Sequence, residues 1–257
     1  MADGPAFADA AQLARTLPRL SIGCHVVLID GEPVLDSKQL PSLTSRGPGA
    51  GFRDGLKTFA VRALGGRMRA DEIAAEATAQ IRKIQSAGIN VSHFDTHKHT
   101  HLFPSVLRPL LRAAADCGVR ALRNPFVPCM PLRSSDLLAR PSLWARYTQL
   151  RVLLGFAGKF RKAVDREGFV TPDGTVGIEV TGVLDENLFR ALSLRIPEGT
   201  WEFVCHPGYN DPDLQAAKTR LRASRETELQ VLTMPAAREI LAREGIELIS
   251  YRDLAKA

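Results

Sequence analysis

Apolar residues recur along this chain at two spacings, one helical and one extended. Between residues 70 and 87, Ile73, Ala77, Ile81 and Ile84 fall on one face of a helix, and Gly88 follows as a stop. Residues 104 to 117 read as a second helix, with Pro104 in its first turn and Gly118 past its end. A third covers 5 to 17 behind Asp3-Gly4-Pro5, and further helices are predicted near 185 to 194 and 224 to 244. Short strand-like runs fall between them at 20 to 28, 91 to 97, 119 to 122, 175 to 181, 200 to 206 and 246 to 250. Strand and helix in alternation predict an α/β fold with a parallel sheet or barrel.

At 257 residues and 45% hydrophobic content, the chain can bury a full core. A single domain over 1–257 is expected, because no Ser/Gly-rich linker, repeat or low-complexity tract interrupts the chain; Ser45 to Gly51 reads as a surface loop. The net charge of +6 is spread along the sequence without interleaved aromatics, which argues against nucleic acid as a partner. The densest basic stretch, Arg140 to Arg166, carries Leu143, Trp144, Tyr147, Leu150, Leu153, Leu154 and Phe160 at near-helical spacing. It reads foremost as a helical excursion packing on the protein or a partner subunit, and secondarily as a surface for peripheral contact with anionic lipid. No apolar segment reaches the ~18 residues of a membrane span, and the first residues do not read as a secretory peptide. Cys24, Cys117, Cys129 and Cys205 show no Cys-x-x-Cys spacing, so a reducing cytoplasm is expected, with Cys24 and Cys205 as core residues.

The candidate chemistry is concentrated in histidine. Four of the six histidines lie in His93-Phe94-Asp95-Thr96-His97-Lys98-His99-Thr100-His101; His25 and His206 end separate strand-like runs. In an extended strand, residues two apart share a face, so Asp95, His97, His99 and His101 are expected to project into one site. Imidazoles and a carboxylate are the usual ligands of a divalent transition metal, which polarises a carbonyl or acidifies a bound water, and this points to hydrolysis. A lone histidine is more often a satisfied core or surface residue; the clustering reverses that weighting here. All three motifs fall at predicted strand C-terminal ends, the rim where such folds build active sites.

Ile22-Gly23-Cys24-His25-Val26-Val27-Leu28, Asp95 to Pro104, Glu202-Phe203-Val204-Cys205-His206-Pro207-Gly208-Tyr209 and Ser250-Tyr251-Arg252-Asp253 together resemble the YdjC-like carbohydrate deacetylases, the ChbG/HpnK group. The resemblance runs from Gly4 to the C-terminus and is weakest across Arg133 to Glu167. It implies a distorted (β/α) barrel and removal of an acetyl group from an N-acetylated sugar, an oligosaccharide or a glycolipid. It also implies a divalent cation, Mg2+ or Zn2+, held by His25 and His97. His206 would protonate the departing amine, with Pro207, Gly208 and Tyr209 beside it at the substrate. Arg123 resembles a family arginine that orients a carboxylate or substrate, and His99 and His101 are expected at the substrate groove or within the barrel wall, not both as ligands. Asp95 has two readings, as the acceptor fixing the far nitrogen of a metal-bound ring and as a general base.

The chain departs from the family pattern at its start. Members open with a strand ending in Ala-Asp-Asp-Phe-Gly, a helix and a second strand, before a stretch like Met1 to Phe7 here; Asp3 matches neither aspartate. The expectation is a fold lacking that β-α-β, a homodimer covering the exposed sheet edge, and little deacetylase activity unless an Asp-Asp-bearing segment precedes Met1. Two alternatives stand beside the deacetylase: a non-catalytic sugar-binding or scaffold relative, and a metal-dependent phosphoesterase, for which only Lys98 and Arg123 lie close to the motifs.

Overall fold

β1 (Ile22–Val26) and β2 (Val91–Thr96) pair in parallel, with Gly23 opposite His93 and His25 opposite Asp95. This pairing is the first fixed relationship in the computed structural model, which describes residues 1–45, 47, 50–127, 138, 140, 142–217 and 219–254. The ladder continues outward from β2 through parallel bridges from Phe94 to Leu122 and from Ala121 to Val170. The expected strand at 119 to 122 is therefore present as ladder positions rather than as a full strand. Compact contacts divide the chain into two units, one of residues 1–125, 156–171 and 249–257, the other of 126–155 and 172–248.

In the first unit the helix Ala70–Ser86 buries the anticipated face of Ile73, Ala77, Ile81 and Ile84, with Asp71 and Glu72 in its first turn complementing the helix dipole. Three polar side chains share that buried stripe because each satisfies backbone groups. Gln80 accepts from Val27 N at 2.9 Å and donates to Val27 O at 2.7 Å. Glu76 accepts from Val34 N and Leu35 N, and Glu72 from Ser42 N. The chain leaving β1 is thus pinned at three points to one helix. Burial is the main influence on the Glu76 carboxyl and raises its pKa. The helix Pro104–Asp116 packs on Ala70–Ser86 and buries Val106, Leu107, Leu110 and Leu111. A helix at Leu56–Leu64 was not anticipated from the apolar pattern; it buries only Phe59 and Ala63.

The second unit holds β3 (Gly174–Val176) parallel to β4 (Trp201–Phe203), with Thr175 N bonded to Phe126 O. Its core gathers Val180, Leu184, Leu188, Phe189, Leu192, Val231 and Ile240. The expected strand over 175 to 181 stops at Val176 because Gly177 adopts φ 96° and a 3-10 turn follows at Ile178–Val180. A β-carbon at Gly177 would lie 2.3 Å from Val204 O, so the close approach of the two segments requires glycine there. The helix expected over 224 to 244 is two helices, Ala223–Thr233 and Pro235–Arg243, divided where Met234 takes the extended conformation favoured before proline. Residues 246 to 250, expected as a strand, carry no strand pairing.

The basic stretch at 140 to 166 also divides. Ser142–Leu153 is a helix of the second unit, burying Leu143 and leaving Trp144 and Val152 exposed. Ala157–Arg166 belongs to the first unit and buries Phe160 and Val164. Among the described residues no helix is long and apolar enough to cross a membrane. Cys24 and Cys117 are buried and Cys205 is half-buried, while Cys129 and part of the Ser45 to Gly51 loop lie outside the described residues. Burial pushes the Cys24 thiol up to about 12, as expected for a core cysteine.

Candidate active site

Because β1 and β2 run parallel in register, His25 and Asp95 are cross-strand neighbours on one face, and His25 Nδ1 donates to Asp95 Oδ2 at 2.8 Å. That bond leaves the lone pair of His25 Nε2 pointing away from the carboxylate. It faces His97, whose Nδ1 lies 3.4 Å from it, with the two rings edge to face. His97 is half-buried, and its pKa falls to about 4, first through burial and then through the neighbouring His25 and Lys98. At neutral pH it is an uncharged imidazole with a free electron pair.

Asp95 is almost fully buried and also pairs with Arg123. Arg123 arrives from the next ladder position, its backbone N bonded to Phe94 O at 3.1 Å. Burial alone would raise the Asp95 carboxyl, but His25 and Arg123 outweigh it and hold the group well below the ordinary carboxylate range. A carboxylate so stabilised is a strong hydrogen-bond acceptor and a poor proton acceptor.

The strand ends at Thr96, so the expected alternation of His97, His99 and His101 does not hold. Lys98 and His99 both take left-handed backbone conformations, φ 53°, inside a 3-10 segment at His97–Leu102, and the chain turns away from the extended path. Side chains beyond His97 therefore follow the turn rather than the strand period. Lys98 is held by an ion pair with Asp30, which is itself left-handed at φ 56° and accepts from Gly55 N at 2.9 Å. The three non-glycine residues of positive φ among those described thus lie in two turns joined by one ion pair.

His101 is fully buried. Its Nε2 donates to Arg123 O at 3.1 Å, and its Nδ1 lies 2.7 Å from the Thr96 hydroxyl, so both ring nitrogens are engaged inside the protein. Burial lowers its pKa to about 4. His99 is half-buried, with its Nδ1 lacking a hydrogen-bond partner among the described residues, and burial followed by Arg123 and His101 lowers its pKa to about 3. His93 sits two register positions before the His25–Asp95 pair, opposite Gly23. Its ring stacks on Tyr251 at 3.7 Å and lies over Gly23, where a β-carbon would come within 2.4 Å of the imidazole.

His206 follows β4 in the second unit. Its backbone N donates to Glu228, a buried acid of the helix Ala223–Thr233 that also accepts from Gly182 N at 3.4 Å and lies 4.0 Å from His206 Nδ1. Gly208 N bonds to Arg225 O and Asn210 N to the Glu226 carboxylate, so this helix carries the His-Pro-Gly turn. Pro207 lies in the same turn and Tyr209 is exposed. Glu228 and Asp30 were not singled out from the sequence. Glu228 carried one signal, an acid three positions before Val231 on the buried side of its helix.

The 3.4 Å between His25 Nε2 and His97 Nδ1 suits two nitrogens sharing one ion, since tetrahedral coordination at ~2.0–2.1 Å per bond separates ligand nitrogens by about 3.3 Å. The two nitrogens lie within hydrogen-bond reach of each other, and one ring is oriented from behind by a carboxylate, the usual support for a metal-binding histidine. Among the described residues no group of three or more His, Cys, Asp or Glu side chains is placed to hold a metal ion. The described residues thus offer two nitrogens toward a cation rather than a complete ligand set.

The fold is α/β with parallel strands, and the imidazole pair sits at the C-terminal ends of two paired strands, His25 within β1 and His97 just past β2. Residues 1–243 match the YdjC-like protein family, and the chain belongs to that family. It is 31% identical over 257 residues to a chitooligosaccharide deacetylase of Salmonella schwarzengrund strain CVM19633, covering 99% of this chain and 86% of that protein. It is also 31% identical to a carbohydrate deacetylase of Geobacillus stearothermophilus, covering 100% of this chain and 85% of the relative. In fold it is similar to the crystal structure of a protein described provisionally as a cellobiose-phosphate cleavage protein from Enterococcus faecalis V583. The TM-score is 0.69 at 23% identity, with 99% of this chain and 85% of that one covered.

Proposed function

We propose that this protein is a metal-dependent hydrolase that removes acetyl groups from N-acetylated sugars. The observation that carries the reading is the convergence of His25 Nε2 and His97 Nδ1, with Asp95 behind His25. The deacetylase names of the relatives at 31% identity supply the substrate class.

His25 and His97 would hold the cation, and imidazole donors favour zinc over magnesium. A divalent ion there supplies Lewis acidity, polarising an acetyl carbonyl and acidifying a water. Asp95 keeps His25 in the tautomer with its Nε2 lone pair exposed, and Arg123 keeps Asp95 ionised; that geometry favours the positioning role for Asp95 over the general-base role. His99, with an unpartnered Nδ1, is the better candidate of its pair to meet substrate, and His101 is engaged inside the protein. In the second unit, His206 is backed by buried Glu228. The test is acetate release from N-acetylglucosamine oligomers with zinc or magnesium supplied. Release that stops with chelator and in His97→Ala supports the reading; no release from any acetylated sugar, by this chain or by one extended with an Asp-Asp-bearing segment, favours the non-catalytic sugar-binding relative.

A further inference from the structure

We propose that the excursion leaving β1 carries an oxyanion-binding site, formed by Lys38, Arg53 and Arg62 around a cavity of about 410 Å³. The site shares no side chain with the His25–His97 group and does not depend on the deacetylase reading.

Its frame is fixed by the backbone. Thr44 and Phe52 form an antiparallel bridge, with Arg53 N bonded to Leu43 O and Ser45 N to Gly51 O. Arg62, from the helix Leu56–Leu64, is anchored through Nη2 to Ser42 O at 2.7 Å and Arg67 O at 2.9 Å. Ser37 and Ser45 add hydroxyls to the lining. The volume lies within the ~300–1,000 Å³ of small-ligand pockets.

The lining charge is one-sided. Three cations meet at the cavity, and among the described residues none of the lining side chains is acidic and none of the three cations makes an ion pair. Solvated surface cations normally spread apart or take a carboxylate. Burial, and then the like charges of Arg53 and Arg67, lower the pKa of Arg62. Arg53 Nε is buried from solvent and has no hydrogen-bond acceptor among the described residues. A guanidinium N–H removed from water without an acceptor is costly. A tetrahedral or planar oxyanion, a phosphate or carboxylate, would supply that acceptor and offset the repulsion, and the guanidinium fork matches its geometry. The excursion is tied back to the end of β1 by Phe52 N to Gly31 O at 2.8 Å and Gly55 N to Asp30 Oδ1 at 2.9 Å. An occupant would therefore fasten a segment that leaves the same strand as His25.

The anion has two possible sources, free in solution or borne by a sugar. Calorimetric titration of the full chain with inorganic phosphate, against a chloride control, measures the site. Wild-type protein should bind one phosphate, and Arg53→Gln and Lys38→Gln, neither of which removes a backbone anchor, should weaken it ~10-fold or more. Thermal melts without phosphate establish that both variants fold, and Arg53→Lys, which keeps the charge but loses the fork, should fall between. Titration with N-acetylglucosamine 6-phosphate separates the sources: tighter binding than phosphate alone marks a sugar-borne anion, equal binding a free one. Phosphate binding no better than chloride, or unchanged in folded Arg53→Gln, overturns the site. Because the readout is binding, failure of the deacetylase reading would leave this result intact.

Discussion

His25 and His97 stand 72 positions apart in sequence and 3.4 Å apart in space, with Nε2 facing Nδ1. The register of two parallel strands brings them together, since His25 lies opposite Asp95 and His97 is the first residue past the end of β2. Asp95 therefore serves the pair from within the same ladder, accepting from His25 on one side and Arg123 on the other.

Replacing Asp95 by Asn should weaken zinc binding ~10–100-fold while leaving both imidazoles in place, because the carboxylate acts through the orientation and basicity of His25. Competition against a chromophoric chelator measures the change. An Asp95→Asn protein that binds zinc as tightly as wild type would remove the carboxylate from the metal site.

The metal-free protein should lose stability on mild acidification. His101 is neutral in the fold, with its pKa lowered to about 4, and would be free to take a proton near 6.5 once unfolded. The unfolded state thus binds the proton first. Stability from this group is complete above about pH 6.5 and is lost as pH falls toward about 4, on the order of 2–3 kcal/mol. Asp95, held low, adds a further loss below about pH 4. Urea midpoints at pH 7.5 and 4.5 measure the slope, and His101→Gln should flatten it; an unchanged slope would mean that His101 does not titrate in this way.

Glu228 accepts backbone N–H groups from His206 and Gly182 while almost fully buried. Glu228→Ala leaves both donors without their acceptor and should cost about 2 kcal/mol or more, whereas Glu228→Gln keeps one carbonyl and should cost less. Denaturant unfolding of the two variants tests the order.

Gly177→Ala should be among the more damaging single-methyl changes in the chain, since the added carbon meets Val204 O and the residue sits at φ 96°. A cost of about 2 kcal/mol or more corresponds to a fall of ~4–8 °C in Tm. Alanine tolerated without a shift would show that the two segments can move apart.

The helix faces were legible because their burial follows the 3.6-residue period; Ile73, Ala77, Ile81 and Ile84 are all inside. The pairing of His25 with the 95–97 segment was legible through motif resemblance and the expected convergence of strand ends. The strict alternation through His101 misled, since nothing in the side-chain pattern marks the left-handed turn at Lys98 and His99, both residues that more often take right-handed or extended backbone. Asp30, Glu228 and the cation cavity escaped notice for a common reason. Each acquires its role from backbone groups or charges brought up by another part of the chain, and single-residue chemistry does not announce such a partner.

The most direct test of the account is the coordination of one cobalt or zinc ion titrated into the protein, read by X-ray absorption and by stoichiometry in His25→Ala and His97→Ala. One ion per chain with two imidazole nitrogens at ~2.0–2.1 Å, lost in either variant, is the predicted result. Equal binding by wild type and both variants would contradict it and place the metal chemistry elsewhere.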